Sequence, residues 1–281
     1  MPTVVRGKES EARFGPGLPA VVIGERINPT GRKKLAESLA KGSLELLLKE
    51  ALAQKAAGAH IIDVNVGVPG IQEDELLAEG AKIVMKETGL PICIDSANPK
   101  AVAAALNVCP YKPLINSVTG EEKSLQAILP LVKDFKTAVI CLPMDESGIP
   151  KTASQRVLIA KKIVDRAKSL GIPQEDIVVD CLAIAASADT LSATASIEAI
   201  RVFTKEMALS TTMGISNISF GMPQRKVITN TFLAMAVEAG LSAAIADPTD
   251  EALMYTLLSA NFLTGRDEYA SRFLSYYRAR V

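Results

Sequence analysis

The residues best suited to chemistry in this sequence are side-chain amides and carboxylates, and they converge on the stretch Thr211–Arg225, TTMGISNISFGMPQR. There a short apolar run gives out at Asn217, a glycine-containing turn follows, and Arg225 opens the next helical pattern. An amide donates and accepts hydrogen bonds without exchanging a proton, so its work is recognition or charge stabilisation. Other apolar runs end in the same chemistry: Glu25 with Asn28, Asp63 with Asn65, Asp95, Asn116, Met144-Asp145, Asp180 and Asp247. Taken singly, each has an ordinary explanation as a helix cap or an Asx turn. Their recurrence at strand after strand points to a shared site. Asp95 and Asp180 are the least cap-like, because small or apolar residues follow each of them.

Several reaction classes lack their residues. His60 is the only histidine, and it precedes its apolar run, so it is expected at the structural end, away from the site. No HExxH and no His/Asp triad is present for a metal, and no Ser/His/Asp set for acyl transfer. No apolar run ends in a lysine for Schiff-base chemistry. What remains suits a neutral heterocycle rich in amide-like edges. A carboxylate accepts two adjacent N–H donors, and an amide pairs with a C=O/N–H edge. The 2-amino group, ring N–H and C=O of a pterin form such an edge.

The elements that must position these residues alternate. Residues 1–19 carry mixed charge with Gly15, Pro16, Gly17 and Pro19, and read as a loose lead-in. Ala20–Gly24 is the first buried-strand candidate, and GERINPTGRKK reads as a loop. Ser43 can cap a helix over 44–57 that stops at Gly58, before strand His60–Asp63. Helix 73–88 ends at Gly89 before Leu90–Asp95; helix 99–107 leads to Leu114–Asn116, and helix 122–133 to Thr137–Leu142. Thr152 and Gln155 form a capping box for helix 153–170, followed by strand Ile177–Asp180. Helix 192–208, strand Thr212–Ser216, helix 226–239, strand Ala243–Asp247 and helix 250–262 complete the order. Eight continuous apolar runs alternating with eight helical patterns over roughly 260 residues predict an α/β fold, a single closed (β/α)8 TIM barrel over residues 1–281, with all strand ends on one rim. No strand is followed by GxGxxG, which disfavours a Rossmann sheet.

Composition agrees with an ordinary globular enzyme. The chain has 281 residues, 48% apolar and 22% charged, with 31 basic and 31 acidic side chains. No basic excess or stripe indicates nucleic acid, and no apolar run is long enough to span a membrane. Cys93, Cys109, Cys141 and Cys181 are dispersed, mostly in apolar runs, and are expected as buried free thiols in a reducing, cytoplasmic setting. The N-terminus is polar and shows no signal-peptide core.

Six segments in order, VIGERINPTG, IIDVNVG, ICIDSANP, LINSVTGE, MDESGIP and GISNISFGMPQR, resemble the pterin-binding methyltransferases. These are the methyltetrahydrofolate:corrinoid methyltransferases and the folate domain of cobalamin-dependent methionine synthase, with dihydropteroate synthase more distant. The resemblance runs from about Ala20 to Phe273 and implies a dihydropteroate-synthase-like barrel that binds the pterin of tetrahydrofolate or methyltetrahydrofolate within its rim. It further implies that Asp95, Asn116 and Asp180 hydrogen-bond the pterin ring and that Asn217 bonds N-5, where the methyl is carried. Gly214 and Ser216 would border the ring, Asp63 and Asn65 line the floor, and Arg225 lie near the benzoate or glutamate. A mobile Asn217 is part of this expectation. The corrinoid would arrive on a separate corrinoid protein, since the only histidine lies in GAHIID and not in a cobalt-ligating DxHxxG. A homodimer is expected from the same resemblance, and either direction of methyl transfer is open. Where the family commonly has Asp-Pro, this chain has Asp180-Cys181. Dihydropteroate synthase and a non-catalytic folate-binding barrel are the rival readings. The first needs a cationic cluster for a diphosphate, whereas the last strand here runs into the acidic AIADPTDE.

Overall fold

The computed structural model describes residues 1–280. Two short antiparallel strands, β1 (Thr3–Arg6) and β2 (Glu11–Phe14), come first. Eight parallel strands then close into a barrel: β3 (Val21–Ile27), β4 (Ile61–Val64), β5 (Ile92–Asp95), β6 (Leu114–Thr119), β7 (Ala138–Leu142), β8 (Ile177–Asp180), β9 (Ser210–Gly214) and β10 (Ala243–Ala246). Strand order follows chain order, and β10 closes back onto β3. The helices on the outside are α1 (Lys33–Ala40), α2 (Glu45–Ala57), α3 (Glu73–Thr88), α4 (Pro99–Asn107), α5 (Glu122–Phe135), α6 (Ala153–Ser169), α7 (Ser192–Arg201), α8 (Arg225–Ala239), α9 (Glu251–Leu263) and α10 (Ser271–Arg278). The closed barrel of eight strands with helices around it is the expected (β/α)8 architecture.

Local signals account for many boundaries. The Thr152/Gln155 capping box forms at the start of α6, and Asn98 and Asp250 cap α4 and α9 through their side chains. Gly58 and Gly89 adopt the left-handed conformation that stops α2 and α3, at φ 101° and 71°. Ser43 does not cap α2. Its carbonyl instead accepts from the Ser38 hydroxyl, and Leu44 occupies the cap position without a side-chain bond. Two helices exceed the expected set: α1, which begins in the last two residues of the stretch read as loop, and α10 near the C-terminus.

The larger correction concerns residues 1–19. They are no loose lead-in, because Val5, Ala12 and Phe14 are fully or almost fully buried against Val21, Ile23, Ile61, Cys93 and Leu114. The hairpin therefore packs into the N-terminal end of the barrel. The Thr3 hydroxyl bonds Ser210 Oγ at 2.8 Å, and Arg6 N–H donates to the Lys112 carbonyl at 2.8 Å. Its strands alternate with period two, but only contact with the barrel gives the inward face something to bury.

Barrel strands carry two apolar faces. One, which includes Val22, Ile62, Ile94 and Val179, packs against the helices; the other, which includes Val21, Ile23, Cys93, Leu114 and Val178, fills the barrel's centre. His60 sits just before β4 at the N-terminal end, with Nδ1 accepting from Val22 N–H at 3.2 Å, and burial holds its pKa down at about 4. All four cysteines are buried and unpaired. Among the described residues no helix is long and apolar enough to cross a membrane.

Candidate active site

Side chains two residues apart on a strand share a face, so the inward series can be followed upward from the apolar centre. Val21 and Ile23 lead to Glu25 on β3, Cys93 to Asp95 on β5, Leu114 to Asn116 on β6, and Val178 to Asp180 on β8. The layer above the apolar core is thus polar. Parallel pairing puts Asp95 beside Asn116 and Asp180 beside Thr212. Asp63, on β4, pairs with Cys93 and completes the floor.

These groups line one cavity of about 430 Å³ at the C-terminal mouth. It brings together Asp63, Asp95, Asn116, Asp180, Gly214, Ser216 and Asn217, seven of the nine residues expected there. Asn65 stands behind the wall: its Nδ2 donates to Asp95 Oδ2 at 2.9 Å, while its Oδ1 accepts from Gly67 N–H at 2.8 Å. Arg225 is also outside the lining. Its guanidinium donates to the Ser216 carbonyl at 3.0 Å and to Ser219 Oγ at 3.2 Å, and lies 4.5 Å from the centre of the Phe220 ring, which does line the cavity.

The expected strand run through Ser216 ends at Gly214, and Asn217 occupies the middle of a 3-10 turn over Ile215–Ser219. Ile215, Ile218 and Ser219 of that turn are buried, so its backbone is anchored while Asn217 faces the cavity.

The carboxylates are electrostatically frustrated. Asp63 is 2% exposed, and its Oδ1 has no hydrogen-bond partner. Burial, and then the charge of Asp95, push the Asp63 carboxyl well above the usual range, and burial raises Asp95 as well. Asp180 is raised to about 6 by burial, although Leu182 N–H donates to its Oδ1 at 2.7 Å. Asp180 therefore does form a local turn bond and faces the site too. Glu25 reaches about 7, chiefly through burial. Such clustering of shifted acids in a cleft is a mark of a functional site.

Two arginines at the mouth are already engaged. Arg26 bonds Glu50 and Asp247, each at 3.0 Å, and Arg32 pairs with Glu50. Asp145 is a local turn residue: it accepts from Ser147 and borders a separate surface pocket. Among the described residues no group of three His, Cys, Asp or Glu side chains is arranged to hold a metal.

The Asp180-Cys181 pair has a structural explanation. Cys181 N–H, which a proline would lack, donates to the Thr212 carbonyl at 2.9 Å and extends the β8–β9 ladder by one bond. The Cys181 carbonyl accepts from Arg156 Nη1 at 2.8 Å. Arg156 is completely buried, and the same nitrogen also donates to the Leu182 carbonyl and Ser196 Oγ, each at 3.0 Å. Sequence reasoning missed it, because nothing in an arginine on an amphipathic helix marks it as buried.

Residues 24–247 match the family described as pterin binding enzyme. The chain is 31% identical over 266 residues to a methylcorrinoid:tetrahydrofolate methyltransferase of Eubacterium limosum, covering 92% of this chain and 96% of that protein. It is 32% identical over 248 residues to a methionine synthase of Mycobacterium tuberculosis, where the match spans 83% of this chain but 21% of the other. A dihydropteroate synthase of Thermus thermophilus superposes with a TM-score of 0.69 at 17% identity, over 92% of this chain and 99% of that one, a likeness of fold alone.

Proposed function

The chain belongs to the family of pterin binding enzymes, and on that premise we propose that it moves a methyl group between N-5 of tetrahydrofolate and the cobalt of a corrinoid carried by a separate protein. The observation that carries this reading is that Asn217 shares one cavity with Asp95, Asn116 and Asp180 at the barrel mouth. The donor set fits a pterin. Asp95 and Asn116 stand side by side on adjacent strands and together match an edge of N–H and C=O groups. Asp63 borders the same cavity, and its buried Oδ1 has no hydrogen-bond partner within the protein.

The roles follow from position. In strand order β5 lies four places from β9 around the eight-stranded barrel, so Asp95 and Asn217 approach a bound ring from opposite walls. Asp95, Asn116 and Asp180 hold the recognition edge and fix the ring's register; Asn217 meets N-5. The corrinoid, when docked, supplies a cobalt that gives up or accepts the methyl. Asn217 has no proton to exchange, so it works by hydrogen-bonding N-5 as charge changes there, more strongly in the transition state than in the ground state. Asn65 keeps Asp95 oriented, and Arg225 braces the turn that carries Asn217 by holding the Ser216 carbonyl.

A corrinoid on a partner is supported by the position of His60, which is buried at the other end of the barrel and accepts a backbone hydrogen bond. Transfer toward tetrahydrofolate is favoured because the relative matched along 96% of its length is named as a methylcorrinoid:tetrahydrofolate methyltransferase. Methyltetrahydrofolate mixed with the protein and free cob(I)alamin is expected to give the methyl-cobalt spectrum. Formation of pteroate from p-aminobenzoate, or folate binding with no turnover, would overturn the proposal in favour of a synthase or a binding barrel.

A further inference from the structure

Apart from Asp63 on the floor, two acids in the cavity stand outside the proposed recognition edge, and of these Asp247 is paired with Arg26 whereas Glu25 is not. Glu25 follows Val21 and Ile23 on the inward face of β3 and borders the cavity. Its Oε1 accepts a hydrogen bond from the hydroxyl of Ser216, the residue before Asn217, at 3.3 Å. In strand order β3 is two places from β9, with only β10 between, so Glu25 stands on the Asn217 side. Asp95, by contrast, is on the opposite wall and held by Asn65.

The other charged groups around Glu25 leave it without a dedicated partner. Arg26, next along β3, is turned onto Glu50 and Asp247. Arg225, at the start of α8, is occupied by the Ser216 carbonyl, Ser219 and the Phe220 ring. Asp247, after β10, repels a negative charge on Glu25, and Asp63, Asp95 and Asp180 border the same cavity. Burial, the largest influence, lifts Glu25 to about 7, where a carboxyl gives and takes protons with equal ease at neutral pH.

We propose that Glu25 is the acid–base group for N-5, exchanging the proton that Asn217 cannot. The inference rests on the methyl-transfer reading. In transfer to folate, the N-5 lone pair forms the N–C bond, the C–Co bond breaks, and its electron pair stays on cobalt. N-5 is then a positively charged ammonium, and its proton passes to the Glu25 carboxylate, directly or through the Ser216 hydroxyl. In the reverse direction the Glu25 carboxylic acid protonates N-5, and cobalt takes the methyl as the N–C bond breaks.

Single-turnover transfer from methyltetrahydrofolate to free cob(I)alamin, followed across pH 6–8.5, tests this. Wild-type enzyme is expected to lose rate as pH rises through about 7. Glu25→Gln is expected to transfer about 10²-fold more slowly at the acid end, with that pH limb gone and folate affinity within about threefold. A Glu25→Gln enzyme that keeps near wild-type rates and the same limb overturns the inference. Should Glu25→Gln not fold, Glu25→Asp decides: a limb whose midpoint moves supports the assignment, and an unmoved midpoint overturns it. Absence of any methyl-cobalt from wild-type enzyme would instead refute the methyl-transfer reading itself.

Discussion

The side-chain nitrogen of Asn217 lies 3.0 Å from the point that a β-carbon on Gly214 would occupy, so the asparagine folds back closely over the end of its own strand, and a side chain at 214 would push the amide aside by a few tenths of an ångström. The requirement is one of space. Gly214 has φ −71° and ψ 92°, a backbone geometry open to any residue. Gly214→Ala is therefore expected to fold normally and to displace Asn217. Asn217→Ala should lower the transfer rate by ~10²–10³, as expected for loss of one preorganised donor, and Gly214→Ala should lower it in the same direction but by less. Folate affinity in both variants should stay within about tenfold. Stopped-flow rates near wild type in either variant would count against the role given to Asn217.

Asp95 carries the opposite end of the ring. Asp95→Asn replaces a charged acceptor by an amide while keeping the shape, and a hydrogen bond to a charged group contributes about 1.5–3 kcal/mol. Folate affinity should fall roughly 10- to 150-fold by titration calorimetry, with a smaller effect on the transfer rate at saturating folate. An unchanged dissociation constant would remove Asp95 from the recognition edge.

The buried acids make stability depend on pH in a definite direction. Glu25 is raised from 4.5 to about 7 and Asp180 from 3.8 to about 6, and Asp63 and Asp95 are raised too. Between the unfolded and folded values the folded state binds more protons, so stability falls as pH rises. The contribution is complete below the unfolded values and is lost as pH climbs through the folded ones. The ligand-free protein should therefore melt at a lower temperature at pH 8 than at pH 5.5 on account of this cluster. Asp63→Asn should flatten that slope and melt a few degrees higher than wild type at pH 8, by calorimetry. Equal slopes for the two proteins would show that Asp63 carries no such burden.

Arg156 ties the segment after β8 to α6 and α7 through its bonds to Cys181, Leu182 and Ser196. Arg156→Met leaves the buried Cys181 carbonyl without its donor, a loss of roughly 1–3 kcal/mol. Thermal stability and folate affinity should fall together, because the freed segment begins at Asp180. Lowered stability with intact affinity would confine Arg156 to the scaffold.

What was legible beforehand follows the range of the forces involved. Helices 73–88 and 153–170 could be read with an end each because their stop and start signals, Gly89 and the Thr152/Gln155 capping box, act within a turn. The polar strand ends could be read as one site because a barrel sends all of them to one rim. The hairpin over residues 3–14 could not, since its alternation only matters once the barrel end is there to receive Val5 and Phe14. Glu25 is the clearest case: its position in VIGERIN showed a strand-end acid, but its charge state depends first on burial in the folded barrel and then on Ser216 and Asp247, both about two hundred residues away along the chain. Arg225 shows the reverse limit, a rim cation that spends its donors on the Ser216–Ser219 turn and its flat face on Phe220.

The hairpin at the N-terminal end has a kinetic consequence. With Phe14 and Val5 packed into the barrel from below, the cavity at the C-terminal mouth is closed off from that end. On the proposed reaction, folate enters at the mouth where the corrinoid partner must also dock to reach N-5, and a docked partner then stands over that entrance. Folate must then be seated before the partner arrives and can leave only after it departs, so traffic through the enzyme is queued by its architecture.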